Sequence, residues 1–204
     1  MSVSIPAVII GASGYVGGEL LRLIAGHPNF ELKAAVSDSA VGKPIGELFG
    51  HLATAFDGQS FIAHSNWLDQ LDANSDLALF SAAPHGASAA VIASAIDACE
   101  KKRINVHVVD SSADFRFAGQ EQWESVYKAE HGAPSLLVKF VCAVPEHLAE
   151  TDAALVVLAG CLATASTLAT VQLIRSGLTE AEVFISGVTG SSGSGKKPHA
   201  GTHH

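Results

Sequence analysis

The sequence predicts an α/β fold: a mostly parallel sheet covered by helices on both faces. Three observations predict it. Short apolar runs recur along the chain and end at glycine or small polar residues, as buried parallel strands do. Segments with apolar residues at helical spacing separate them. Strand–helix–strand order then repeats, and right-handed crossovers gather such units into one sheet. The 204 residues suffice for one large domain, or for one domain and part of another. With 48% hydrophobic and 16% charged residues, the chain can build a sizeable core and is not disordered. A formal charge of −8 argues against a nucleic-acid partner, which a basic patch would have to hold.

The elements follow in order. Ala7-Val8-Ile9-Ile10 is the first strand. Val16, Leu20, Leu23 and Ile24 then repeat at helical spacing, and Gly26 with His27-Pro28 stops that helix. Residues 30–36 form a second strand and 76–80 a third. Pro84-His85-Gly86 follows, then a helix from Ser88 to Lys102. Residues 106–109 form a strand that ends in Asp110-Ser111-Ser112. The polar, aromatic stretch 119–134, with Trp123 and Tyr127, is an excursion above the sheet. Strands at 140–144 and 155–158 precede a helix that opens at Gly160-Cys161, runs to Arg175 and stops at Gly177. Residues 183–188 complete the strands, and 190–201 form a Gly/Ser/Lys loop. No apolar stretch approaches a membrane span and the N-terminus carries no targeting pattern, so the expectation is a cytoplasmic protein without a membrane partner. The abrupt end after that loop suggests a truncated sequence.

Gly11-Ala12-Ser13-Gly14-Tyr15-Val16-Gly17 joins the first strand to the first helix. GxxGxxG in that place is a variant of the dinucleotide fingerprint. Glycine permits a tight turn and close backbone approach to a pyrophosphate, and the helix N-terminus offers free N–H groups and a positive dipole end. This makes the fold Rossmann-like and doubly wound, with Gly11, Ser13, Gly14, Tyr15, Val16 and Gly17 as cofactor residues. The alternative is a tight turn serving helix packing alone. At the end of the second strand stand Ser37-Asp38-Ser39, with Lys43 nearby. By spacing, Asp38 suits the ribose 2′-hydroxyl of NAD. Ser37, Ser39 and Lys43 suit a 2′-phosphate instead, with Asp38 turned to solvent. Both readings stand.

Three cysteines, Cys99, Cys142 and Cys161, lie far apart with no CxxC spacing, which suggests neither a disulfide framework nor a zinc site. Cys99 falls inside a helix and Cys142 inside a strand, and both read as core. Cys161 differs. It opens a helix at the edge of the sheet where ligands bind in open α/β folds, with Leu162-Ala163-Thr164-Ala165-Ser166 leaving room above it. Free N–H groups in a helix's first turn favour an anionic sulfur. An inert buried thiol is the alternative. No metal is assigned: His199, His203 and His204 read as solvated residues of a Gly-rich tail, and Asp69, Asp72 and Asp76 as a solvated face.

Several motifs together carry a resemblance. Gly11 to Leu23 (GASGYVGGELLRL), Pro84-His85-Gly86, Asp110-Ser111-Ser112-Ala113-Asp114-Phe115-Arg116, Val144-Pro145-Glu146 and Gly160-Cys161 resemble N-acetyl-γ-glutamyl-phosphate reductases in order and spacing across essentially the whole chain. The frame around Cys161 and the segments 189–195 and Thr202-His203-His204 are similar to a branch of carrier-protein-linked aminoadipyl- and glutamyl-phosphate reductases of lysine and arginine synthesis. The resemblance implies NADP as cofactor (Asp38 keeps NAD open) and an acyl phosphate, free or carrier-linked, as substrate, in arginine synthesis or its lysine counterpart. It implies Cys161 as the nucleophile that forms a thioester. It also implies Pro84 near the cofactor, Arg116, Ser192 and Gly193 near the substrate, and a homo-oligomer. It divides the chain into an NAD(P)-binding domain, 1–160, and the start of an incomplete α+β substrate domain, 161–204. The family's catalytic histidine lies beyond this sequence, so no histidine here takes that role.

Three other readings compete. Gly190-Ser191-Ser192-Gly193-Ser194-Gly195-Lys196-Lys197 nearly fits a P-loop, but Lys197 stands where the Mg²⁺-ligating Ser/Thr belongs and Pro198 follows. An aspartate-semialdehyde-type dehydrogenase shares the glycine loop and the thiol. A dinucleotide-binding fragment with no activity of its own is the third.

Overall fold

The computed structural model describes residues 4–147, 151–180 and 182–196. Six strands, β1 (Ile5–Ile10), β2 (Phe30–Val36), β3 (Asp76–Ser81), β4 (Asn105–Asp110), β5 (Val141–Ala143) and β6 (Leu155–Leu158), form one parallel sheet in the order β2-β1-β3-β4-β6-β5. The helices are α1 (Tyr15–Ala25), α2 (Ile45–Leu48), α3 (Ser88–Lys102), α4 (Gln120–Tyr127) and α5 (Cys161–Arg175). The chain steps from β1 to β2 on one side, then returns past β1 to β3 on the other. That reversal opens a crevice above the C-terminal ends of β1 and β3, where ligands bind in this architecture.

Strand alternation sorts the core into two layers. Val8 and Ile10 of β1 face α3, whose Ala89, Ile92, Ala95 and Cys99 cover them with Leu77, Leu79 and Val108. Ala7 and Ile9 face α1, with Leu21, Ile24, Ile45, Phe49 and Phe61. The β1–β2 register slips between Ala7 and Val8, so Ala7 opposes Leu32 while Val8 opposes Ala34. Lys33 is the extra residue, and the slip sends Leu32 and Ala34 to opposite layers. α1 packs chiefly on β1 and β2. Beside it a groove lined by Phe30, Ala78, Phe80, His107 and Val109 stays open over β3 and β4.

Three expectations change, and one gains detail. The buried face of α1 is Gly17, Gly18, Leu21 and Ile24, while Val16 and Leu23 are exposed. The glycines set this phase. A Cβ on Gly17 would lie 2.5 Å from the carbonyl oxygens of Gly11 and Ala12, and one on Gly18 would lie 2.5 Å from the Phe49 ring. The 119–134 excursion contains α4 and buries Trp123 between a stacked Tyr127 and an edge-on His131. Cys142 is exposed, because β5 is an edge strand and turns that side chain outward. Residues 183–188 have no regular secondary structure and join no ladder, and Phe184 and Val188 are 97% and 99% exposed. A strand needs a neighbouring strand for its N–H and C=O groups, and among the described residues none pairs with this segment. The P-loop likeness therefore follows no strand. Lys197, Pro198, His199, His203 and His204 lie outside the described residues.

Candidate active site

The cradle is built by the β1–α1 turn. Gly11 has φ +75°, and a Cβ there would meet the Ala82 carbonyl oxygen at 2.5 Å, so only glycine fits. Two backbone bonds clasp the turn from either side: Ala12 N–H donates to Val36 O at 3.0 Å, and Ala82 N–H to Ile10 O at 2.8 Å. Gly14 enters α1 with extended backbone and no side-chain cap, which leaves the first-turn N–H groups directed outward. Tyr15 and Val16 stand exposed on that turn. A pyrophosphate could approach here without meeting a side chain at Gly11 or Gly14, so the residues present fit a dinucleotide.

Three hydroxyls gather at the end of β2. Ser13 Oγ lies 2.7 Å from Ser37 Oγ, which lies 3.2 Å from Ser39 Oγ. One Asp38 oxygen accepts the His64 N–H at 2.8 Å and so anchors the following loop. Among the described residues Lys43 makes no side-chain hydrogen bond to this trio. Pro84 sits just past Ala82, in the turn that opens α3, where its carbonyl accepts the Ala87 and Ser88 N–H groups. The structure thus brings Gly11, Ser13, Gly14, Gly17, Ser37 and Ser39 together, with Tyr15, Val16 and Pro84 at the rim.

The thiol lies along the same edge of the sheet. Gly160 leaves β6 and Cys161 takes the first position of α5, exposed. The first ladder bond of the helix runs from Thr164 N–H to Gly160 O at 2.7 Å, so the Leu162 and Ala163 N–H groups precede it. Arg116 comes from the loop after β4. Its Nε donates to Leu158 O at 2.8 Å and one terminal nitrogen to Ser111 O at 3.0 Å. The other terminal nitrogen would lie 3.2 Å from a Cβ on Gly160. A half-buried guanidinium is therefore fixed against the residue before the thiol. Gly187 packs against Leu162, where an added Cβ would touch Cδ2 at 3.2 Å. Ser192 and Gly193 belong to a short 3₁₀ turn, Ser191–Ser194, closed by Gly193 N–H to Gly190 O. Among the described residues neither reaches Cys161 or Arg116 with a hydrogen bond.

Beneath these loops lies a buried polar network that the sequence did not single out. Asp110 is fully buried. It accepts Ser88 Oγ–H at 2.8 Å, Ser112 N–H at 3.0 Å and Ser112 Oγ–H at 2.6 Å. Burial pushes its carboxyl above the ordinary value of 3.8; the bonds from Ser112 and Ser88 act against that, and the Asp114 charge adds to it. Asp114, also fully buried, accepts Gly86 N–H at 2.7 Å and Ala89 N–H at 2.9 Å, and so caps α3 from another loop. His85 Nδ1 accepts Ala113 N–H at 2.9 Å, which places the proton of the neutral ring on Nε2. The loops after β3 and β4 are locked as one piece. Burial also pushes the Cys99 thiol up to about 11, which leaves it inert.

Comparison with known proteins gives the family of the chain. The NAD-binding domain of semialdehyde dehydrogenases matches residues 6–158, and the semialdehyde dehydrogenase dimerisation domain matches 161–204. The chain belongs to the semialdehyde dehydrogenase family. Among its relatives, a LysW-L-2-aminoadipate/LysW-L-glutamate phosphate reductase of Saccharolobus solfataricus is 36% identical, over 100% of this chain and 56% of its own. An N-acetyl-gamma-glutamyl-phosphate reductase of Nitrosococcus oceani is 36% identical, over 97% of this chain and 56% of its own. The chain spans about half the length of the curated relatives it matches, and both kinds suggested by the motifs are among them. An aspartate semialdehyde dehydrogenase structure from Candida albicans shares the fold, with TM-score 0.57 and 16% identity over 85% of this chain and 47% of that one.

Proposed function

We propose that this chain carries the NADP cradle and the nucleophilic thiol of an acyl-phosphate reductase that converts N-acetyl-γ-glutamyl phosphate to N-acetylglutamate semialdehyde. One observation carries the reading: an exposed thiol at the first position of α5, beside a fixed guanidinium, on the same sheet edge as the glycine cradle. In the strand order, three inter-strand steps separate β1 from β6, about 14 Å at ordinary spacing. A dinucleotide seated at β1 and β2 can lie along that edge towards the thiol.

The Cys161 thiolate attacks the acyl-phosphate carbonyl carbon. A C–S bond forms, the C–O bond to phosphate breaks, and phosphate leaves with the electron pair, giving a thioester. The Leu162 and Ala163 N–H groups receive the developing oxyanion, and Arg116 draws the anionic substrate to the thiol. NADPH, when bound, supplies the hydride that reduces the thioester. Collapse then breaks the C–S bond, releases the aldehyde and restores the thiolate. The serine trio, with one Asp38 oxygen taken by the His64 N–H, supports NADP over NAD. Exposed apolar side chains of the 161–188 region, Leu162, Leu173, Phe184 and Val188 among them, fit a part completed by further chain and a second subunit. The soluble substrates fit a cytoplasmic enzyme.

The frame around Cys161 favours a second acyl group, aminoadipyl or glutamyl on a carrier protein. The intact polypeptide should be assayed in reverse with aldehyde, phosphate and NADP, free and carrier-linked. Cys161→Ser should abolish turnover and leave NADPH affinity unchanged; turnover retained by that variant would refute the covalent route.

A further inference from the structure

The segment after α5 bridges both halves of the site. It packs on Leu162 through Gly187 and, nine residues on, reaches the glycine turn through Lys196. We propose that Lys196 is a cofactor-specificity residue whose ammonium group engages the 2′-phosphate of NADP. The inference rests on the dinucleotide reading above and deepens it.

Lys196 Nζ donates to the Ser13 carbonyl at 2.7 Å, across 183 positions of sequence. It lies 4.6 Å from the centre of the Phe49 ring and 5.5 Å from that of Tyr15. Among the described residues no carboxylate stands within 4.0 Å of it. Its environment is thus a neutral carbonyl and two π faces beside the start of α1, whose dipole presents a positive end. Two positive potentials face one another with no described counter-charge, and an anion placed there satisfies both.

Position selects which phosphate. Ser13 holds the lysine through its carbonyl and turns its hydroxyl to Ser37, which in turn meets Ser39. Those hydroxyls mark the end of β2, where the adenosine ribose docks in doubly wound sheets. Three hydroxyls can donate to a 2′-phosphate but cannot neutralise it, and Lys196 adds the missing charge. The lysine is exposed at this rim, so a ligand can reach it. Because the same segment packs on the thiol helix, the contact also ties cofactor recognition to the strap that crosses the site.

The test is titration of the intact polypeptide with NADPH and NADH, read by nicotinamide fluorescence, for the unsubstituted protein, Lys196→Gln and Lys196→Arg. Loss of a charge-assisted bond should raise the NADPH dissociation constant of Lys196→Gln roughly ten-fold or more and that for NADH less than about two-fold. Retained NADH binding also reports that the variant is folded. Lys196→Arg should stay close to the unsubstituted protein. Equal weakening of both cofactors would overturn the assignment by moving the lysine to the pyrophosphate. Unchanged affinity for both would overturn it as an incidental contact. If the unsubstituted protein bound neither cofactor, the dinucleotide reading itself would fall, and this inference with it.

Discussion

Replacing Gly11 by alanine tests the cradle at its tightest point. The residue has φ +75°, and the new Cβ would lie 2.5 Å from Ala82 O and 2.7 Å from Ala82 C. A left-handed backbone costs an L-residue about 1–2 kcal/mol. Relieving the clash displaces backbone rather than a flexible side chain, by about half an ångström or more, a strain on the order of 1–3 kcal/mol. The two effects together reach about 2–5 kcal/mol, a large part of the roughly 5–15 kcal/mol typical of a folded domain. Gly42→Ala is the control: its φ is +78°, but nothing lies within 4 Å of the added Cβ, so only the backbone cost applies. Urea unfolding, followed through the fluorescence of buried Trp67 and Trp123, should place the midpoint of Gly11→Ala well below that of Gly42→Ala. NADPH affinity should fall for the first and not for the second. Coincident midpoints with unchanged affinity would refute the argument from close approach.

Asp114→Ala removes the acceptor of two backbone N–H groups in a fully buried place, and should destabilise the protein by about 3 kcal/mol in urea unfolding. A loss as small as that of an exposed Asp72→Ala would show that the cap of α3 is supplied otherwise. Asp110 gives a dependence on pH. Its folded carboxyl titrates above 3.8, so the folded state holds the proton more tightly than the unfolded chain. That contribution to stability is fully present below 3.8 and is lost as pH rises through the folded value. Asp110→Asn keeps an oxygen for Ser88 and offers an N–H to the Ser112 hydroxyl. It should flatten this fall, seen as a smaller drop in Tm from about pH 4 to pH 7; an unaltered slope would show that another group is responsible.

Strand positions, the start and stop of α3 and α5, and the glycine turn were legible because each rests on local chemistry. Apolar runs bounded by glycine or proline need little tertiary context, and Cys161 at the head of a helix follows from the residues beside it. The phase of α1 was not legible. Leu20 and Leu23 advertise one face, but the contact is made where Gly17 and Gly18 leave room, and absence of a side chain leaves no hydropathy signal. Cys142 was misplaced because a strand's hydropathy does not reveal that it lies at an edge. Residues 183–188 carry strand propensity that needs a partner to be realised. Asp110, Ser88, Asp114 and His85 join loops far apart in sequence, so their network follows only from the strand order; the motif around Asp110 was the available signal. Lys196 was visible only as part of a P-loop likeness, while its contact depends on where a long segment crosses the site.

The clasp on Gly11 also bears on how the protein is made. Its two backbone bonds join residue 12 to residue 36 and residue 10 to residue 82. A ribosome that has released only β1, α1 and β2 has emitted the whole glycine motif, but the Ala82 bond does not yet exist. The turn is therefore held on one side only until β3 clears the exit tunnel. Parallel pairing of distant segments is slow, and a helix near the N-terminus forms sooner than the sheet that supports it. Nascent chains should accordingly acquire NADPH-dependent resistance to protease no earlier than the emergence of β3, and the motif that is read first becomes functional late.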